Sequence, residues 1–383
     1  MQENKFMNHI VLTTTHTGFN YGTSLQVLAG KYIVSKLGYK CDFVRPKSLI
    51  KGRDIRVGKL LKILFRVISL GDFKKLTPFV SSYKKKFIEG TDLKYFEFND
   101  KYLKPQELSW KELQKSAEEA VACLAGSDQI WIPDALYVDP IYYLRFAPEN
   151  KRIAFAPSFG RDKIARYNVK KISKWINEIP YLSVREDSGI KLIKDLTGRE
   201  SIHLLDPTLS VSREEWKNIL NITEKKDNYI LSYFLDTPSE FAKAKMKELQ
   251  EELDCPIINI PYEFEDNDYF DKQMSAGPKE FVSLILNARL VCTDSFHGTV
   301  FSLNLHTPFY IFERMYGTAT KQSVRITSLL SQFSLMERYQ QVNPVSVVDN
   351  IDFEAVDKIL ETERVKTYRY LQNAIANIKS NEK

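Results

Sequence analysis

The chain has 383 residues, 43% hydrophobic and 27% charged, with 15 glycines and 15 prolines, which excludes a disordered, collagenous or low-complexity protein. Its length suffices for two ordinary domains, and no apolar run approaches the roughly 20 residues of a membrane-spanning helix. A net charge of +6 by itself selects no partner, and the scattered Cys41, Cys123, Cys255 and Cys292, with no CxxC, read as reduced core residues. The opening "MQENKFMNHIVLTTT" lacks a basic start followed by a long apolar stretch, so the expectation is a cytoplasmic protein.

"HIVLTTT" (9–15) predicts a strand, "HTGFNYGTSLQ" (16–26) a polar loop, and Leu25, Leu28, Ala29, Tyr32, Ile33 and Leu37 the apolar face of a helix. Gly38 ends that helix and "YKCDFV" resumes as a strand, which completes a βαβ unit of a parallel sheet. A basic insertion follows. From Lys47 to Lys86 twelve Lys and Arg stand against two Asp. Between Val57 and Leu70 its apolar residues fall at helical spacing, with Lys59, Lys62 and Arg66 as a basic stripe. Such a segment (51–75) can lie on an anionic membrane surface, or pack its apolar face on the domain and show a solvated basic one. Basic and aromatic residues are not interleaved there, so nucleic acid is not expected.

The alternation then returns. "EEAVACLAGSDQIW" (118–131) and "KRIAFAPSFG" (151–160) predict strands running into loops. "YNVKKISKWINEIP" predicts a helix, "YLSVRE" a strand, "DSGIKLIKDLTG" a helix and "SIHLLDPTL" a strand. Near residue 228 a second series starts. "NYILSYFL", "PIINIPY", "RLVCTD" and "PFYIF" are its strands; "PSEFAKAKMKELQEEL", "GPKEFVSLILNA" and "GTVFSLNLH" are its helices. "TERVKTYRYLQNAIANIKSN" closes as a helix. Two such series predict an α/β protein of two Rossmann-like doubly wound domains facing a cleft: 1–210 with the basic insertion 46–90, 211–350, and a C-terminal helix 351–383.

Ligands of doubly wound sheets bind beyond the carboxyl ends of the strands, so the polar clusters there are the candidate site residues. In 16–26, Gly18 and Gly22 allow close backbone approach, and Asn20, Tyr21, Thr23 and Ser24 offer polar groups at a helix N-terminus. His16 is a second candidate there. "GSDQIW" concentrates Ser127, Asp128 and Gln129 beside Trp131, a composition suited to a sugar and its aromatic platform, or to a turn that caps a helix. Arg185 in "SVRE" can fork onto a carboxylate or phosphate, or pair with a neighbouring acid. "TDSFHG" (293–298) puts His297 between a buried strand and a buried helix, with Gly298 clearing space beside it. No His, Cys or carboxylate spacing suggests a metal.

In combination and order, "GFNYGTSLQ", "GSDQIW", "APSFG", "SVRE", "DPTL" and "TDSFHGTVFSL" resemble the polysaccharide pyruvyl transferase family over about residues 10 to 335. The resemblance implies a GT-B-like fold and transfer of the enolpyruvyl unit of phosphoenolpyruvate to a sugar of a capsular, exopolysaccharide or cell-wall glycan, the acceptor being in some cases lipid-linked. No cofactor is implied beyond the donor itself. The family's Arg–hydrophobic–His–Gly motif matches Phe296, His297 and Gly298, but Ser295 stands where the arginine should be. His297 is then the acid/base, Arg185 the family's second arginine, and Arg325 the replacement charge beside Ser295, with Arg314 and Lys321 behind it. Ser295, Gly298 and Arg325 become donor contacts, and Asn20, Tyr21, Ser127, Asp128, Gln129 and Trp131 acceptor contacts. Two rival readings are a glycosyltransferase of similar shape using a nucleotide-sugar and a non-catalytic saccharide binder.

Overall fold

The computed structural model describes residues 9–16, 19–49, 56–71, 88–261, 269–314, 323–340 and 351–381. Gly18, Lys321, the stretches 50–55 and 72–87 of the basic insertion, and 341–350 lie outside the described residues. The chain divides into two compact units: residues 1–80, 99–210 and 362–383 form unit 1, and 81–98 with 211–361 form unit 2.

Unit 1 is built on β1 (His9–Thr13), β2 (Lys40–Pro46), β3 (Gln106–Leu108), β4 (Ala122–Ala125) and β5 (Arg152–Ala154), in the order β3-β2-β1-β4-β5 with every pair parallel. The register pairs Ile10 with Cys41 on one side and with Ala122 on the other. A parallel bridge from Ile153 to Tyr181 carries the pattern toward β6 (Ser183–Val184) and β7 (Ile202–His203), which pair with each other. Crossovers include α1 (Tyr21–Lys36), α2 (Val57–Leu70), α4 (Trp110–Glu119), α5 (Arg166–Asn177) and α6 (Asp187–Thr197). The chain between α2 and α4 includes α3 (Thr91–Phe98), which belongs to unit 2. Ser109 and Glu112 form a reciprocal capping box that starts α4.

Unit 2 repeats the plan with six strands, β8 (Ile230–Tyr233), β9 (Ile257–Asn259), β10 (Lys272–Gln273), β11 (Leu290–Thr293), β12 (Phe309–Phe312) and β13 (Tyr339–Gln340). Their order is β10-β9-β8-β11-β12-β13, again all parallel. Numbered within each unit, the orders are 3-2-1-4-5 and 3-2-1-4-5-6, the doubly wound arrangement whose strand order reverses between the first and fourth strands. The helices of unit 2 are α7 (Arg213–Leu220), α8 (Glu240–Leu253), α9 (Pro278–Asn287), α10 (Phe296–Asn304) and α11 (Ser323–Gln332). The last helix, α12 (Phe353–Asn381), runs from residues of unit 2 into residues of unit 1, where the Tyr370 hydroxyl donates to Ala154 O at 2.8 Å.

Strands buried on both faces are continuous apolar runs, and β4, β8, β11 and β12 are buried at every position. The buried thiols fit that environment. Burial pushes Cys123 up to about 12 and Cys292 higher still, so both remain neutral packing groups. All four cysteines are free. Among the described residues no helix is long and apolar enough to cross a membrane.

Candidate functional site

The reversal of strand order places two polar clusters where a doubly wound sheet opens to ligand: beyond β1 and β4 in unit 1, and beyond β8 and β11 in unit 2. In unit 2 that cluster is the "TDSFHG" segment. Thr293 Oγ1 donates to Tyr233 O at 2.5 Å, and Asp294 Oδ1 accepts from Leu235 N at 2.7 Å, so the two strand ends are tied together. Ser295 is the N-cap of α10, its hydroxyl accepting from Gly298 N at 3.3 Å. His297 is thus the second residue of the helix, 9% exposed, with its ring edge-on to Phe296 at 5.3 Å.

Cations approach this turn from later elements. Arg314 donates from Nε to Asp294 Oδ2 at 2.9 Å and from Nη2 to Asp294 O at 3.0 Å. Arg325, in α11, carries its guanidinium 5.4 Å from the Phe296 ring centroid. Burial raises the carboxyl pKa of Asp294; Arg314 and the N–H groups of Leu235 and Asp236 pull against it without reversing the direction.

Two expectations for this segment need correction. A Cβ at Gly298 would stand 2.6 Å from Thr293 Oγ1, so the missing side chain makes room for the strand beneath rather than for a ligand. The Ser295 hydroxyl is committed to the cap, so serine replaces the family's arginine as a helix-starting residue and supplies no charge.

Unit 1 treats its cluster differently. Ser127 is completely buried; its N donates to Gln26 Oε1 at 3.0 Å and its Oγ to Ala156 O at 2.6 Å. Gln26 Nε2 donates to Thr14 Oγ1 at 2.7 Å, and Thr14 Oγ1 to Ser127 O at 2.8 Å, which closes a triangle across β1 and β4. Ser127 therefore locks the strand ends and has no surface for a sugar. Trp131 is also fully buried, stacked on Tyr143 at 5.4 Å with Nε1 donating to Tyr142 O, so it is a core residue and no platform. Tyr21 is 3% exposed and packs in the core, while Asn20 caps α1 by accepting from Thr23 N at 3.0 Å. Asp128 and Gln129 remain as polar groups at the edge. Asp128 Oδ1 accepts from Gln129 N at 2.7 Å, and half-buried Gln129 occupies space that any Cβ at Gly160 would fill.

Arg185 differs from its expected role as well. Its buried guanidinium forms an ion pair with Asp206 and approaches Asp128 Oδ1 at 3.5 Å. Burial disfavours the cation, but Asp206, Asp128 and Glu186 outweigh that and raise its pKa above the ordinary arginine value. A guanidinium balanced by three acids stands as their counter-ion, paired with Asp206 and close to Asp128. Asp206 also accepts from Thr208 N at 3.0 Å and Thr208 Oγ1 at 2.7 Å, which organises the "DPTL" turn. Glu186 accepts from Ser158 Oγ, Phe159 N and Gly160 N at 3.1, 2.7 and 3.0 Å, so "SVRE" latches "APSFG".

His16 lies at the same edge, 3.4 Å from Ser24 Oγ and 3.4 Å from Arg45 Nη1. Burial, then the Arg45 charge, lowers its pKa to about 3 against a raising hydrogen bond from Asn99, so the ring is neutral at neutral pH. Gln26 and Arg45 are the members of these clusters that reading the sequence passes over. Gln26 ends the motif "GFNYGTSLQ", but Arg45 has no signal beyond its place at the end of a strand. Among the described residues no group of three or more His, Cys, Asp and Glu could hold a metal ion.

These features define an α/β protein of two Rossmann-type units with a polar cluster at each switch point. A family model for polysaccharide pyruvyl transferase matches residues 20–314, and the chain belongs to that family. No curated protein matches the sequence as a relative. Solved structures similar to it include UDP-GlcNAc 2-epimerase of Methanocaldococcus jannaschii in complex with UDP-GlcNAc and UDP, at 11% identity, covering 93% of this chain and 94% of that one with a TM-score of 0.43. UDP-GlcNAc 2-epimerase from Neisseria meningitidis bound to UDP-GlcNAc matches at 9% identity over 96% of this chain and 93% of that one, TM-score 0.45. The wall teichoic acid polymerase TagF matches at 11% identity over 98% and 90%, TM-score 0.42.

Proposed function

We propose that the protein transfers the enolpyruvyl unit of phosphoenolpyruvate to two hydroxyls of one sugar in a capsular, exopolysaccharide or cell-wall glycan, leaving a pyruvate ketal and phosphate. Family membership supports the reaction class, and the position of His297 in the first turn of α10, at the switch point of unit 2, carries the assignment of roles.

The chemistry sets the requirements. A proton must reach the donor's methylene carbon, which turns it into the methyl group and makes the adjacent carbon electrophilic. One sugar hydroxyl adds there and loses its proton, which replaces the one delivered to carbon; a second displaces phosphate, which departs with the C–O bond electrons and takes up the second hydroxyl's proton. Imidazole, whose ordinary titration range brackets neutrality, suits the proton delivery, and His297 takes that role. The donor's carboxylate and phosphate need donors and cations. The N-terminal N–H groups of α10 and the guanidinium of Arg325 supply them in this reading, with Arg314 holding Asp294. Asp128, close to Arg185, and Gln129 offer an acceptor and a donor to sugar hydroxyls on unit 1.

The test is phosphate release from phosphoenolpyruvate against a panel of nitrophenyl and lipid-linked sugars. Release that depends on both donor and acceptor, and falls by about 10²- to 10⁴-fold in His297→Gln with an unchanged melting temperature, is the expected result. Release of nucleotide from a nucleotide-sugar instead, or full activity in His297→Gln, would overturn it.

A further inference from the structure

Helix α2 is amphipathic, but it faces the opposite way from an ordinary surface helix. Ile63 and Val67 are its buried residues, at 8% and 0% exposure. Val57, Leu61, Leu64, Phe65 and Ile68 form a stripe at helical spacing that is 47 to 75% exposed, with Phe65 the most open. Ile63 and Val67 pack on unit 1, and basic residues add contacts beside them. Arg56, at the N-cap, forms an ion pair with Asp139; Lys62 Nζ lies 5.5 Å from the Tyr137 ring centroid, and the Arg66 guanidinium 5.0 Å from that of Tyr167.

Soluble proteins seldom expose so many large apolar side chains in one contiguous stripe without a partner. The charge beside the stripe narrows the partner. Burial and then the repulsion of Arg66 and Lys62 lower the pKa of Lys171, so three cations crowd together along this flank. The sequence surplus of ten positive charges between Lys47 and Lys86 has the same sign. A second copy of the chain is a poor occupant, because α2 carries no acidic residue and a two-fold contact through it would offer its cations no opposite charge from the same helix. An anionic lipid surface satisfies both features: the apolar stripe enters the boundary between headgroups and acyl chains while the cations meet lipid phosphates.

We propose that α2 is a membrane-docking helix, which seats unit 1 on an anionic bilayer through Val57, Leu61, Leu64, Phe65 and Ile68, with the exposed Lys62 and Lys171 flanking the stripe at the headgroup level. This site is separate from the strand-end clusters, and its test does not depend on which reaction they perform. The full chain is sedimented with phosphatidylcholine vesicles and with mixed phosphatidylglycerol–phosphatidylcholine vesicles. Retention by the anionic vesicles, weakened by salt as the Debye length falls below about 8 Å, is expected, with little retention on phosphatidylcholine alone.

The double variant L61E/F65E alters only exposed side chains, so its melting temperature should hold while bound protein falls roughly tenfold. Phe65→Trp should show a blue-shifted emission with anionic vesicles only. No retention on anionic vesicles, or equal retention of L61E/F65E, would overturn the proposal. Elution of the chain as a dimer that L61E/F65E converts to a monomer, without vesicle binding, would overturn it in favour of self-association.

Discussion

The same sheet plan ends in opposite electrostatics in the two units. At the edge of unit 1, Arg185 is enclosed by Asp206, Asp128 and Glu186, so acids outnumber the cation. At the edge of unit 2, one acid, Asp294, engages Arg314 while Arg325 stands over the neighbouring Phe296. Arg185 is therefore a structural counter-ion in unit 1, whereas in unit 2 Arg314 takes that part and Arg325 of α11 is a candidate anion contact. The difference comes from how many carboxylates the adjoining turns supply.

The largest expected effect tests that contrast directly. Arg185→Ala leaves three acids without their shared counter-charge inside unit 1 and should cost about 3–5 kcal/mol, read as a lowered denaturation midpoint. A loss below about 1 kcal/mol would mean that the cluster reorganises and that Arg185 is no structural keystone. Next is Gly298→Ala, whose methyl meets Thr293 Oγ1; about 1–3 kcal/mol is expected, with the loss confined to unit 2 in hydrogen exchange.

The buried ring of unit 1 sharpens the comparison through pH. Its folded-state pKa of about 3 lies below the ordinary value of 6.5, so neutral His16 contributes stability that is complete above pH 6.5. That contribution is lost as pH falls from there toward 3, at about 1.4 kcal/mol per unit. Urea midpoints of the wild type and His16→Gln should diverge across that window, and parallel curves would show that protons reach the ring freely. The smallest stability effect belongs to Arg325→Ala, within about 0.5 kcal/mol, accompanied by a raised KM for the donor. An unchanged KM would remove Arg325 from the donor site.

Much of the fold was legible because each strand of a doubly wound sheet is a short apolar run and each crossover helix has its own period. The strand order was not, since pairings such as Leu290 with Ile230 join residues far apart in sequence. "SREE" and "SWKE" carry capping-box spacing that announces α7 and α4, a signal easily lost in charged segments that resemble linkers. β3, with the polar sequence "QEL", has no strand pattern at all. In α2 periodicity reveals an amphipathic helix but not which face turns outward, because that depends on Asp139, Tyr137 and Tyr167 elsewhere in the chain. The position of His297 in the first turn of a helix was readable from the apolar runs on either side of it. The burial of Trp131 and Ser127 was not, since an indole or hydroxyl after a strand has the same letters whether it meets a sugar or the core.

The return of α12 to unit 1 has a consequence for biosynthesis. Tyr370 bonds to Ala154 and Arg364 Nε to Leu209 O, yet these two residues leave the ribosome after every residue of unit 2. The middle of the message thus encodes a unit that can finish folding during translation. The unit whose first strand emerges earliest must wait for the final helix before its hydrogen bonding is complete.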